Sequence, residues 1–387
     1  MRPIFYLKLL QKYWNYTAFV LLFSSISFMG FSWSGSDSST NKLPPINIKA
    51  SYNLGFMLAH RTKMQHIPKE LTQGFEISVE KQGNNEKDWQ KVYNNPTVGV
   101  SFLATGTGNY DVMGTAYGLN AYILIPIIKS NRINVLTSWG WGMGWISNKF
   151  HPVTNYKNNT IGSNLNLFAG IKLIGEFYVT PQLGVTLGAS FHHWSNAAFK
   201  YPNLGLNIAS ANLGIKYKLQ KEAKYAKLNR SEKKLLRPKE KNEVSIIPSV
   251  GFKAYNIHDN SSYPAYTLEF NYARLWSAKW KLSAGVDLIY NKAYEREIEI
   301  DPDPEVKGNS AFQTGVNVTY HQTMGTFSIL LGMGAYVYDQ TLQNEPVYHR
   351  FGTRFVVKDN IIISTVLHTH WARADHFKIG IGYKFRK

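Results

Sequence analysis

From residue 44 to the C-terminus the chain is written in short runs where apolar and polar residues alternate, each closed by turn-forming residues. A period of two is the signature of a strand with two unlike faces. Sixteen such runs are present. The first eight fall at about 46–61, 74–82, 97–107, 112–126, 132–148, 162–177, 181–196 and 206–219. The second eight fall at about 245–258, 262–275, 279–291, 310–322, 325–338, 347–357, 360–371 and 374–386. After residue 35 no window approaches the roughly 18 unbroken apolar residues of a membrane helix. Strands of this kind instead predict an all-β fold: an antiparallel transmembrane β-barrel of the outer membrane.

The connections sort by side. If the first strand runs outward, the inner turns include Lys129-Ser130-Asn131-Arg132, Val179-Thr180-Pro181-Gln182, Thr323-Met324-Gly325-Thr326 and Lys358-Asp359-Asn360. The outer loops, 149–161, 197–205, 292–309 and 339–346, are mostly longer, as outer-membrane barrels require. One connection breaks the rule: 83–96 is long and falls on the inner side.

Residues 220–243 interrupt the pattern, with nine Lys/Arg, four Glu and little alternation. They read as a solvated linker or short amphipathic helix. The linker divides the chain into a strand region at 44–219 and a second at 244–387. Each region ends on a similar phrase, LGIKYKL (213–219) and IGIGYKF (379–385), a faint sign of duplication. Lipid leaves no strand edge unpaired, so the sixteen strands must close into one barrel or two of eight; the single large barrel is favoured here.

Composition agrees. Charged residues are 18% of the chain and aromatics 14%, with 24 Tyr, 10 Trp and 30 Gly, whereas soluble domains carry about a quarter charged residues. The absence of cysteine excludes disulfides, thiolate metal sites and cysteine nucleophiles. Residues 1–35 have the form of a signal peptide: Arg2, Lys8 and Lys12 precede the apolar TAFVLLFSSISFMGFSW (17–33), with Gly30-Phe31-Ser32 as a cleavage site. The rival reading is a membrane anchor. Export argues against a nucleic-acid partner for the net charge of +18; a basic surface would suit phosphorylated lipid, or the lysines simply decorate loops.

The seventh run carries the candidate chemistry. Same-parity residues of a strand share a face. Leu183, Val185, Leu187, Ala189, Phe191, His193 and Ser195 make an apolar stripe that turns polar only at its outer end. Gln182, Gly184, Thr186, Gly188, Ser190, His192 and Trp194 face the interior. Polar residues on a lipid face are costly unless they lie near the interface or are used. An imidazole two residues from a serine is placed to take its proton and activate that weak nucleophile. The eighth run brings Asn207 beside His193, where it would orient the ring. Between them, Asn203 and Gly205 offer an amide and backbone N–H groups to a developing oxyanion.

His193-Trp194-Ser195-Asn196, followed by Asn203 in the next loop, resembles the PagL-type outer-membrane lipid A 3-O-deacylases, especially their longer acyloxyacyl-hydrolase-like members. GFMLAHR (55–61) and GFEISVEKQ (74–82) look like that family's opening strands. The resemblance covers 44–219 and implies an eight-stranded barrel that removes an ester-linked acyl chain from lipid A without a cofactor. It would make His193 the general base, Ser195 the nucleophile, Asn203 an oxyanion contributor and Asn196 a support. The family places an acidic residue where this chain has Asn207. Asparagine orients a histidine but does not balance imidazolium charge.

Other features are weaker. His192 reads as a lumen-lining histidine. His368 and His370 share a face, but two ligands without more do not make a metal site. The acidic loop 292–309 lacks calcium-loop spacing. Two expectations remain: an esterase acting on lipid A of the lipopolysaccharide leaflet, or a non-catalytic barrel, porin or structural, with a decayed motif. The second predicts an open lumen.

Overall fold

In the computed structural model, apolar side chains are exposed and polar ones buried along the same strands, the inverse of a soluble protein. Phe75, Ile77 and Val79 are 68%, 60% and 52% exposed, while Glu76, Ser78 and Glu80 between them are 3%, 1% and 0% exposed. Such inversion suits a strand with hydrocarbon outside and a packed polar interior. The structure describes residues 45–220, 232, 242–258, 261–300, 311–339, 345–358, 360–371 and 373–386. The expected signal peptide and most of the charged linker lie outside them.

The strands close twice. β1 (Ile46–Met57), β2 (Thr72–Gln82), β3 (Thr97–Gly106), β4 (Thr115–Lys129), β5 (Ile133–Ile146), β6 (Leu165–Tyr178), β7 (Leu183–Ser195) and β8 (Leu206–Lys218) form one antiparallel barrel. β8 returns to pair with β1, Ile48 opposite Tyr217. The second barrel comprises β9 (Asn242–Ala254), β10 (Ser262–Ser277), β11 (Trp280–Asn291), β12 (Phe312–Met324), β13 (Phe327–Asp339), β14 (Val347–Val357), β15 (Ile361–His370) and β16 (Arg373–Arg386). β16 closes it against β9, Val250 opposite Ile379. The favoured single barrel is therefore corrected to two barrels of eight. The two echoing phrases fall on β8 and β16, the last strand of each.

Eight strands leave an interior just wide enough for side chains to fill. In the first barrel Lys216 lies 2.7 Å from both Glu80 and Glu176, and Lys172 pairs with Glu76. In the second, Glu269 meets Arg350 at 2.6 Å, Arg354 at 2.8 Å and Lys378 at 2.9 Å. Removing one partner of such a buried pair typically costs about 3–5 kcal/mol, because the other charge is stranded. These filled interiors do not offer the open lumen of a porin.

The long inner connection also finds its reason. Its short helix Asp88–Val92 carries Trp89, Val92 and Tyr93 into a cluster with Ile123 of β4 and with Met324 and Phe327 of the second barrel. Tyr93 Oη lies 2.9 Å from the Thr323 carbonyl, and Trp141 stacks on Phe327 with centroids 5.2 Å apart. Residues 83–96 are a strut that docks the two barrels side by side.

At the opposite end, the loops after β1, β3, β5 and β7 fold over the first barrel. Met57, Met64, Ile67, Met113, Ile161, Trp194 and Leu206 meet there as an apolar plug. The expected first strand, 46–61, thus stops at Met57, where the chain leaves the ladder to supply that plug.

Candidate active site

Trp194 sets the site. It is fully buried, and its indole N–H donates to the Tyr117 carbonyl at 2.8 Å. Gly144 makes the seat: a Cβ there would lie 2.2 Å from Trp194 Cδ1. With Trp194 held inside, alternation sends His193 and Ser195 to the outer face. Leu183, Val185, Leu187 and Phe191 below them are exposed, completing the stripe.

Register then supplies the partner of the imidazole. β7 and β8 pair with His193 opposite Asn207, close enough for cross-strand side chains to bond. His193 Nδ1 and Asn207 Oδ1 are 2.5 Å apart, and Asn207 Nδ2 lies 2.9 Å from His60 Nδ1. Reading donors and acceptors along this chain assigns the proton of His193 to Nδ1 and leaves Nε2 with a free lone pair. Asn207 is 9% exposed and His193 half-buried, so the pair is sheltered at the rim.

Ser195 sits in a second small network. Its hydroxyl donates to Asn203 Oδ1 at 3.1 Å, and the Asn196 N–H donates to the same oxygen at 3.0 Å. The Ala197 N–H donates back to Ser195 Oγ at 3.1 Å. In this resting arrangement the serine proton points to Asn203 rather than to His193. Catalytic hydrogen bonds are often unmade until substrate enters.

The remaining expected contributors have different parts. The Gly205 N–H donates to the Thr160 carbonyl at 3.1 Å, as does that of Leu204 at 2.9 Å. The Gly205 N–H expected to face an oxyanion instead anchors the loop. What Gly205 contributes is space: a Cβ would stand 2.7 Å from His193 Cε1, and its φ of 82° favours glycine. The Asn196 side chain is also spent on the loop, donating to Ser163 Oγ at 2.9 Å and accepting from the Lys200 N–H at 3.3 Å.

Three participants escaped the sequence reading: His60, the Ala197 N–H and Thr160. Each comes to the site from a loop, with no spacing rule to reveal it. Of the features set aside, His192 lies in the lumen against the Phe168 ring. His368 Nε2 and His370 Nε2 both meet Tyr336 Oη at 2.9 Å. Part of the acidic loop is a helix, Lys292–Ile300, and its remainder, 301–309, lies outside the described residues.

Two family models match the chain. The one described as lipid A 3-O-deacylase (PagL) covers residues 73–216, and the one described as acyloxyacyl hydrolase, C-terminal domain, covers 242–387. The chain belongs to the PagL family. It is a long form, with one match on each barrel, and an outer-membrane protein. No curated protein matches the chain. Among solved structures, the outer-membrane enzyme PagL is 18% identical, covering 43% of this chain and 97% of its own, with a TM-score of 0.29. Neisserial surface protein A is 11% identical, covering 45% and 97%, with a TM-score of 0.30.

Gly205→Ala tests the seat of the imidazole in this PagL-family protein. The added methyl is expected to displace the ring and cost about 1–3 kcal/mol from the left-handed backbone. Histidine side-chain NMR in micelles should show shifted His193 resonances; unchanged resonances would contradict the packing.

Proposed function

We propose that this protein is an outer-membrane serine esterase that removes an ester-linked acyl chain from lipid A or a related glycolipid, with Ser195 as nucleophile and His193 as general base. One observation carries the reading: His193 and Ser195 stand on the outward parity of β7 at the rim of the first barrel, Ser195 only 9% exposed, with His193 Nδ1 bonded to Asn207. A substrate held in the outer leaflet reaches such a site without entering a lumen. Family membership supports a hydrolase of lipid A.

The reaction begins when the Ser195 hydroxyl turns from Asn203 toward His193 Nε2. The imidazole takes the proton as Oγ attacks the ester carbonyl carbon, and the carbonyl electron pair moves onto oxygen. The Ala197 N–H, released as the hydroxyl turns, faces the developing oxyanion with the amide of Asn203; a lost oxyanion donor typically costs about 10²–10³ in rate. Collapse breaks the carbon–oxygen bond to the sugar, and imidazolium returns its proton to the leaving alkoxide. Water, deprotonated by the same imidazole, then attacks the acyl carbon; the carbon–Oγ bond breaks, imidazolium returns its proton to Ser195 Oγ, and the fatty acid leaves.

Asn207 holds the Nδ1–H tautomer but contributes no negative charge to the imidazolium. His60 behind it fixes which way the amide faces. The acidic role seen elsewhere in the family is here reduced to orientation.

Expression of wild type and Ser195→Ala in an outer membrane, with lipid A mass spectrometry, tests the assignment. Wild type is expected to remove the mass of one hydroxyacyl chain and the variant to leave lipid A intact; intact lipid A with both folded proteins would contradict it. Asn207→Ala should lower kcat by about 10²-fold or more with a smaller change in KM, the scale of general-base catalysis. Asn207→Asp keeps the acceptor and should retain the rate, His60 changing tautomer to donate. Steady-state kinetics on both variants decides, and an unaffected Asn207→Ala would remove Asn207 from the mechanism.

A further inference from the structure

The turn that follows the nucleophile has an unusual backbone. Ala197 and Ala198 are consecutive, and both hold positive φ angles, 54° and 64°. A non-glycine residue in that region is disfavoured, and two in succession persist only where the surroundings over-determine them. Both side chains are buried, at 2% and 1% exposure. The Ala197 N–H is the group bonded to Ser195 Oγ, so the conformation of this turn decides where that donor points.

Part of what holds the turn comes from the other barrel. The Ala254 N–H, at the end of β9, donates to the Ala198 carbonyl at 2.8 Å. The Ser262 hydroxyl, at the start of β10, donates to the Phe199 carbonyl at 2.8 Å. The Phe199 and Phe252 rings meet edge to face, with centroids 6.4 Å apart, an attractive geometry for aromatic pairs. Within the first barrel, the Phe199 N–H donates to the Asn196 carbonyl at 3.1 Å. The turn is thus gripped from both sides, and the side remote from Ser195 belongs to a barrel that supplies none of the reacting groups.

We propose that the second barrel is a positioning element for the esterase site on the first: Ala254, Ser262 and Phe252 hold the 197–199 turn so that the Ala197 N–H stays beside Ser195, where it meets first the resting hydroxyl and then the developing oxyanion. This rests on the functional reading above and gives the C-terminal barrel a task in that reaction. The strut at residues 83–96 sets the barrels side by side at their inner ends. The 197–199 contact then couples their outer ends to the chemistry. Ser262 and Phe252 are positioning residues, not catalytic ones, because they act on the reacting atoms only through the turn.

The test uses the full chain in an outer-membrane host and in detergent. The double variant Phe252→Ala, Ser262→Ala removes the ring contact and one hydrogen bond. A misplacement of about 1 Å costs roughly 10²-fold in rate. The variant should therefore lose about 10- to 100-fold in kcat on a purified lipid A substrate, with KM nearly unchanged. Amide hydrogen exchange at residues 197–199 should rise in step. Heat-modifiable gel migration reports that both barrels remain folded. Ser262→Thr, which keeps the hydroxyl, should restore the single Ser262→Ala loss. An active wild type, silenced by Ser195→Ala yet unaffected in kcat by the double variant, would overturn this inference alone. An inactive wild type would overturn the functional reading and this one with it. Equal loss in Ser262→Thr and Ser262→Ala would overturn the role given to that hydroxyl.

Discussion

The site depends on one buried side chain. Trp194 fills the mouth of the first barrel beneath the loops, in a seat that Gly144 leaves open and that the Tyr117 carbonyl fixes in orientation. Its neighbours on either side are thereby forced outward, by the same alternation that turns Leu187 and Phe191 toward lipid. A polar pair on a lipid face is costly in itself. It is tolerated here because it lies at the outer end of the strand and because Asn207 and Asn203 satisfy it. His193 and Ser195 form the polar end of an apolar stripe, and the buried indole between them fixes which way the strand faces.

The second constraint is closure. Backbone groups in hydrocarbon must find partners, and β8 meets this need by returning to β1 rather than pairing with β9. Two narrow barrels result, each packed with buried ion pairs. Among the described residues, a short helix and the Trp141–Phe327 stack join them on one side and a turn joins them at the outer end. The outer contact falls on the residues that follow Ser195, so the backbone around Ser195 is held by the pair of barrels rather than by the first alone.

Much of this was legible in the chain. The alternation around residues 183–195 separated the lumen from the lipid face, because hydrocarbon and a charged interior demand opposite side chains. The pairing of His193 with Asn207 followed from running β8 back beside β7. The number of barrels was not legible: a strand that closes a ring and one that continues a larger ring carry the same pattern, and only its partner differs. Nor was the task of residues 83–96, since docking against another barrel leaves only Trp89, Val92 and Tyr93 as large apolar side chains in an otherwise polar stretch. Gly205 read as a donor because a loop glycine near a serine suggests one, whereas the fold spends its N–H on Thr160 and uses its missing side chain. His60 was hidden because its contact with Asn207 spans most of the first barrel's sequence.

The central claim is that the Ser195 oxygen is a nucleophile activated by His193. Treating the folded protein with a long-chain fluorophosphonate and mapping the adduct by peptide mass spectrometry tests it most directly, since the reagent phosphonylates activated serines. The account predicts one adduct, on Ser195, that is lost in His193→Ala while the barrels stay folded. An unlabelled Ser195, or labelling that persists without His193, would contradict it.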